Sequence, residues 1–434
     1  MSDAQKTLIL RGTVLSCSGD PAHETAAFRL IEDGVVVVES GRIVEVESWS
    51  DLKTERTKDV TVVDHRPGLI VPGFVDVHAH YPQSNVIATY GTQLLDWLTR
   101  FTFPEESKFS DEAYAAAAAD FFLDELLRNG TTASMVFCTI HPESVDALFN
   151  AASKRDMCIH AGKVMMDSNC PEYLKDDVET GGAQIHDLIK RWHRHGRNRY
   201  VLTPRFALTS SESQLRLCGD ILASDDSLGL QTHVAENLDE VEWVKELFPN
   251  ARSYLDVYER FDLLNANAVL AHCIYLDAQD RATMARHGAT MAFCPTSNLF
   301  LGSGHFDVQE ADRHGNVFAL ATDVGGGTSF SMLRTLGEAY KVAQMTGENI
   351  GPERLLYMAT LAGAKALSCE DSIGSLEPGK IADIVVLDPY ATPISARRAQ
   401  VCERAIDQFF ALTVLGDERH IAEVYVAGKR LTVS

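Results

Sequence analysis

Short apolar runs separated by stretches of helical spacing fill the middle of the chain, and that alternation decides the fold class. The runs start near Leu69, Thr131, Met157, Tyr200, Leu228, Ala268, Thr290 and Phe318. Between them lie amphipathic segments such as Asp111 to Arg128, with Ser110 as the expected N-cap and Gly130 just past the end. Leu238 to Phe248 is a second such segment. Eight strand–helix units over roughly 300 residues are what a (β/α)8 barrel of the TIM type requires. A doubly wound open sheet is the competing architecture, and it would distribute the candidate site residues less evenly over the strands.

The two ends of the chain have a different texture. Residues 7–68 read as short alternating strands: Thr7 to Val14, then Val35 to Val38 and Ile43 to Val46 flanking Glu39-Ser40-Gly41-Arg42, which has the look of a hairpin connection. Ala382 to Leu387 and Glu423 to Lys429 repeat the pattern at the other end. The expectation is one discontinuous, β-sandwich-like domain built from 1–68 plus 371–434, around a barrel spanning 69–370.

Candidate chemistry recurs at one position, the C-terminal end of a buried strand. His78-Ala79-His80 ends the run that begins at Leu69, and side chains two apart on a strand share a face. His233 and Glu236 follow Leu228 to Thr232, His272 follows Ala268 to Ala271, and Asp323 follows Phe318 to Thr322. In a barrel, catalytic groups come from the C-terminal ends of several strands. His78, His80, His233 and Asp323 are therefore the expected ligands of one divalent metal ion, with zinc the first choice and iron not excluded by ligand type. Glu236 can turn inward only if its strand has already ended, which the helix start after Asn237 allows. It would then accept a proton from water and pass it to a substrate. The plainer reading of Glu236 is an exposed acid at a helix N-terminus. His272 is a candidate to hold the attacking water or to support developing charge, and Asp323 can share in proton transfer.

Composition narrows the partners. At 434 residues the chain is long enough for a barrel plus a smaller module, and 45% hydrophobic with 23% charged residues supports a large core. A formal charge of −22 argues against nucleic acid and anionic membrane as partners. Nine cysteines, an odd count with no C-x-x-C pair, read as reduced thiols. Met1 to Leu10 lacks the pattern of a secretory leader, and no apolar run approaches the ~18–20 residues that span a bilayer, so the cytoplasm is the expected location.

The wording around these residues resembles the amidohydrolase superfamily and, within it, the guanine-acting deaminases. The resemblance rests on Pro72-Gly73-Phe74-Val75-Asp76-Val77-His78-Ala79-His80-Tyr81-Pro82-Gln83, Thr203-Pro204-Arg205-Phe206-Ala207 and Thr232-His233-Val234-Ala235-Glu236-Asn237. Ala271-His272-Cys273, Phe293 to Leu299, Leu301 to Gly304 and Thr322 to Gly327 continue it over nearly the whole chain. It implies the ligands already named, and assigns Gln83, Arg205 and Phe206 to holding a purine base. The implied reaction is attack of a metal-activated hydroxide on C2 of guanine, giving xanthine and ammonia. In it Glu236 relays the proton to ring N3, and Asp323 or His272 helps protonate the leaving amine. Arg205 would donate to O6 and Gln83 would face a purine edge. For Arg205 the alternative is a barrel-mouth salt bridge. The resemblance also implies a homodimer.

Trp97, Phe101 and Phe103 fall in the long loop after the first barrel strand, where a lid over the base and plain core packing are both open readings. Gly325-Gly326-Gly327 reads as a tight turn with close backbone approach rather than a phosphate cradle. Some barrels of this kind bridge two metals with a lysine on strand 4. Tyr200 to Phe206 has none, the nearest being Lys163 on strand 3, so a single metal is expected. The H-x-E…P-C-x-x-C signature of the other zinc deaminases is absent as well. Related rings such as 8-oxoguanine, cytosine or an aminotriazine remain the alternative substrates, and a scaffold without activity is disfavoured because every ligand and the candidate base are present.

Overall fold

A computed structural model describes residues 7–53, 56, 60–90 and 93–432. Residues 1–6 of the stretch read for a leader lie outside it. The terminal strands are β1 (Leu8–Cys17), β2 (Phe28–Glu39), β3 (Arg42–Ser48) and β4 (Thr61–Pro72). The barrel strands are β5 (Phe74–His80), β6 (Thr131–Phe137), β7 (Cys158–Gly162), β8 (Val164–Met165), β9 (Arg199–Pro204), β10 (Gly229–Val234), β11 (Ala268–His272), β12 (Thr290–Phe293) and β13 (Val317–Leu320). The chain closes with β14 (Ile384–Leu387), β15 (Ile421–Val426) and β16 (Lys429–Leu431).

Both termini contribute to one seven-stranded sheet, in the order β16-β15-β14-β4-β1-β2-β3. The junction is antiparallel pairing of β14 with β4, from Ile384↔Pro72 to Leu387↔Leu69. The sheet curls so that its edge strand β3 reaches the segment leading into β14, with Arg42 bridging Ile381 and the Ile43 N–H donating to the Lys380 carbonyl. Alternate residues of β1 and β2 then pack on opposite faces: Leu10, Val14 and Val36 enclose one apolar cluster, Ile9, Val35 and Val37 another. The β2–β3 hairpin turns at Ser40 and Gly41, with φ of 55° and 77°, the positive pair that a two-residue turn needs to match strand twist.

The middle of the chain forms a parallel, nearly closed eight-stranded barrel, β5-β6-β7-β9-β10-β11-β12-β13, with short β8 pairing β9 off this path. Its strands are buried almost without interruption, as helices on the outside demand. Two backbone hydrogen bonds draw the first and last strands together: the His80 N–H donates to Val324 O at 2.6 Å and the Asp323 N–H to His78 O at 2.9 Å.

Four expectations shift. The apolar run from Leu69 is not one strand. Leu69–Pro72 ends β4 in the terminal sheet, and Phe74–His80 is the barrel strand. The break is Gly73, where a Cβ would lie 2.1 Å from Thr132 Oγ1, so only a bare backbone passes. Second, Asp111 and not Ser110 caps the helix Glu112–Arg128, its side chain accepting from the Tyr114 N–H at 2.9 Å. Ser110 is used in the preceding turn Ser107–Ser110, and a carboxylate also suits the positive helix end. Third, the run Glu423–Lys429 is a hairpin, turning at Ala427 and Gly428. Fourth, the run Ala382–Leu387 yields a shorter strand, Ile384–Leu387.

Candidate active site

Strand ends around the barrel mouth bring His78, His80, His233, His272, Glu236 and Asp323 together, all but His233 fully buried. The Nε2 atom of His80 lies 3.2 Å from Nε2 of both His78 and His233. Asp323 Oδ1 stands 3.2 Å from His78 Nε2 and 3.4 Å from His80 Nε2. Donor atoms of His78, His233, His272 and Asp323 all fall within 4.8 Å of one another.

Two of the rings are aimed by a partner behind them. His233 places Nδ1 2.7 Å from the Arg205 carbonyl, which fixes a proton there and leaves the Nε2 lone pair facing inward. His272 Nδ1 sits 2.8 Å from Asn298 Oδ1 in the same way, and its buried Nε2 has no hydrogen-bond partner. Asp76, two residues before His78, accepts from the Thr322 hydroxyl at 2.5 Å and the Thr322 N–H at 3.0 Å, tying β5 to the segment that carries Asp323. Burial pushes the Asp76 carboxyl up to about 6, with the Thr322 bonds pulling the other way.

The electrostatics suit a cation. Burial drives His80 down to about 3 and His233 well below the ordinary imidazole range, so both rings are neutral at pH 7. Burial acts to raise Asp323, but the His78 imidazole and hydrogen bonds from His78 and His80 outweigh it and hold the carboxylate ionised. Ligands around a metal at about 2.0–2.1 Å are separated by roughly 3.3–3.4 Å in a tetrahedron. The 3.2–3.4 Å spacings here match, and the orphaned His272 Nε2 supplies a further lone pair. These residues fit a divalent metal.

Glu236 reaches the same space because the chain leaves the strand path at once. Ala235 adopts φ of 51°, a conformation uncommon for residues other than glycine, which swings Glu236 inward. His272 and Asp323 also have positive φ, at 72° and 51°. Glu236 Oε2 is 3.3 Å from His272 Nε2, and Ser303 Oγ donates to Oε1 at 2.8 Å. Burial, and next the Asp323 charge, push the Glu236 carboxyl up to about 8, while the Ser303 bond opposes them. Its backbone is held as well: Glu240 Oε2 accepts from the N–H groups of Glu236 and Asn237 at 3.1 and 3.2 Å.

Gln83, Arg205, Phe206 and Trp97 line the cavity above this cluster, with Leu94, Leu98 and Gly326. Sequence reasoning missed the residue that joins them. Glu106 accepts from Gln83 Nε2 at 3.0 Å and from Arg205 Nη1 at 2.7 Å, fully buried between the two. An acid in the pair Glu105-Glu106 reads as a solvated helix turn, and nothing local marks it as buried. Glu240, Asn298 and Ser303 were equally unassigned. Phe103 packs beneath Arg205, whose guanidinium carbon is 5.2 Å from the ring centroid, and Phe101 is only half-buried. Of the three loop aromatics, Trp97 alone lines the cavity. Lys163 is committed to a buried ion pair with Asp176. Gly327 sits where a Cβ would meet Thr322 O at 1.8 Å, so the glycine run permits close backbone packing behind Asp323.

Residues 69–431 match the model of the amidohydrolase family. The chain is 43% identical over 432 residues to the guanine deaminase of Escherichia coli K12, covering 99% of this chain and 98% of that one. The solved structure of the E. coli guanine deaminase superposes with a TM-score of 0.94 at 42% identity, covering 98% and 99% of the two chains. A guanine deaminase from C. acetobutylicum, solved with guanine in its active site, superposes with a TM-score of 0.89 at 29% identity, over 98% of this chain and all of the other.

Proposed function

This chain belongs to the amidohydrolase family, and from that premise we propose that it removes the 2-amino group of guanine by hydrolysis, releasing xanthine and ammonia. The observation that carries the reading is the buried Gln83–Glu106–Arg205 relay facing a metal-type cluster and Glu236 across one cavity. His78, His80, His233 and Asp323 would hold one divalent ion, zinc by its place in the affinity order, with iron the alternative because three imidazoles and a carboxylate accept either. When bound, that ion lowers the pKa of coordinated water to about 7 and so supplies a nucleophile at neutral pH.

The remaining chemistry belongs to side chains. Glu236, fixed through Oε1 by Ser303, presents Oε2 to take the proton from water and deliver it to ring N3. His272, with its proton held at Nδ1 by Asn298, offers Nε2 to orient the attacking water. Asp323 Oδ2, 3.8 Å from His272 Nε2, is placed to assist proton transfer to the departing amine. Glu106 occupies Nη1 of Arg205, leaving the rest of the fork for the purine O6 acceptor. Phe206 and Trp97 wall the ring plane.

The reading extends to a reducing cytoplasm, supported by nine free thiols, and to a homodimer, which the family likeness implies. Among the described residues no helix is long and apolar enough to cross a membrane. The decisive experiment is ultraviolet absorbance of guanine with metal-analysed protein, alongside released ammonia. Equimolar xanthine and ammonia are expected, with Glu236→Gln losing turnover by about 10²–10⁴-fold while keeping its metal. A metal-loaded protein inert toward guanine would sink the proposal and turn attention to 8-oxoguanine, cytosine and aminotriazines.

A further inference from the structure

The opposite end of the barrel carries a second cluster of ligand-type side chains. Cys158 and His160 open β7 as a C-x-H pair, two apart on one strand and so on one face, the same device that His78 and His80 use at the mouth. Cys369, just after the helix Leu361–Ala366, meets them from the other side. The two sulfurs are 3.9 Å apart, Cys369 Sγ is 3.5 Å from His160 Nε2, and all three donor atoms lie within 4.8 Å of one another. Metal–sulfur and metal–nitrogen lengths of about 2.3 and 2.0–2.1 Å imply tetrahedral edges of about 3.8 Å between sulfurs and about 3.6 Å from sulfur to nitrogen. The observed edges fall within about 0.1 Å of both.

The surroundings meet the other requirements of a site. Cys158 and His160 are each 5% exposed, so their donor atoms are shielded, while Cys369 is half-buried and gives a way in. A cavity of about 390 Å³ lies beside His160, lined by Arg199, Ser227, Asn267 and Ser368 among others, with room for a fourth ligand from solvent. Of the cations nearby, Arg197 is already neutralised by a bidentate pair with Asp383, and Arg199 on the cavity wall donates to the Gly196 and Asn198 carbonyls.

We propose that Cys158, His160 and Cys369 form a second metal site, a Cys2His centre for Zn²⁺ at the N-terminal end of the barrel, with its fourth position open to the cavity. It is independent of the catalytic cluster, which lies at the other end of the strands and contains no sulfur. Two thiolates and an imidazole select a soft or borderline ion, which separates this centre from the nitrogen–oxygen set at the mouth.

The test uses the full chain, stripped with a chelator, kept under a phosphine reductant and reloaded with Co²⁺. Thiolate ligation gives an intense near-ultraviolet charge-transfer band that a site of imidazoles and carboxylate lacks. The wild type is expected to bind two equivalents and show that band. Cys369→Ser and Cys158→Ser should each bind one equivalent and lose it, with the visible cobalt bands of the mouth site and guanine turnover unchanged within about twofold. Zn²⁺ should displace the second cobalt. Folded wild type that takes up one equivalent without the band would overturn the proposal, as would a Cys158–Cys369 disulfide forming in air when the reduced protein binds no second ion. The wild-type spectrum decides the matter even if a variant fails to fold.

Discussion

Ser303 and Glu106 do not touch the proposed ligands, yet each holds residues to which the proposed function gives a role: Ser303 donates to Glu236, and Glu106 accepts from Gln83 and Arg205. A carboxyl held up by burial is protonated below its pKa, so the fraction of Glu236 able to accept a proton rises with pH. A cation beside Asp323 offsets the second of the two raising causes and places the limb below the value of about 8 that burial and Asp323 give together. The kcat/KM profile should therefore fall on the acid side through one ionisation. Ser303→Ala removes the hydroxyl that favours the carboxylate, so the limb should move to higher pH. A limb that stays put or moves down would remove Glu236 from the base role. Glu106→Gln should raise KM for guanine about ten- to a hundredfold, the worth of one hydrogen bond to a charged group, with metal content intact. An unchanged KM would make Glu106 a structural partner of Arg205. The H-x-H, H-x-x-E and T-D residues were legible because strand spacing puts them at recurring ends. Glu106 was not, since its role comes only from a contact with Arg205 across 99 positions of chain.

Element by element, strand existence was plain in the sequence and strand breaks were not. Seven of the eight barrel strands begin within a residue of the expected points, because continuous apolar runs mark strands buried on both faces. The first run misled: Leu69 to Val75 is apolar throughout, and only the clash a side chain at Gly73 would make with Thr132 divides it between two sheets. The loop after β5 contributes Trp97 to the lining of the cavity. Trp97 is 2% exposed, and its Nε1 donates to Thr89 Oγ1 at 2.9 Å, which ties the two limbs of the loop over the cavity. Trp97→Ala should lower kcat/KM for guanine by about tenfold or more, as loss of one stacking face and its exclusion of water would. The same specificity constant in the variant would reduce this loop to core packing.

At the scale of the whole molecule, the barrel and the terminal sheet are joined by a buried bidentate pair. Arg197 holds Asp383 through two bonds of 3.1 and 2.5 Å, and Asp383 also accepts from the Ala427 N–H at 2.9 Å. Asp383→Asn leaves a buried guanidinium without its counter-charge, which should cost about 3–5 kcal/mol of stability and lower the melting temperature, while KM for guanine stays unchanged. A melting curve that does not move would show that the sheet tolerates the loss. The pairing of β4 with β14 has a different consequence, one of timing. Strand β4 is complete by Pro72, but its partner begins at Ile384. A ribosome must make some three hundred residues in between, and for that interval β4 stands as an open sheet edge able to template another chain. Nascent chains cut short before Ile384 are thus the form of this protein most prone to aggregate, whatever the stability of the finished enzyme.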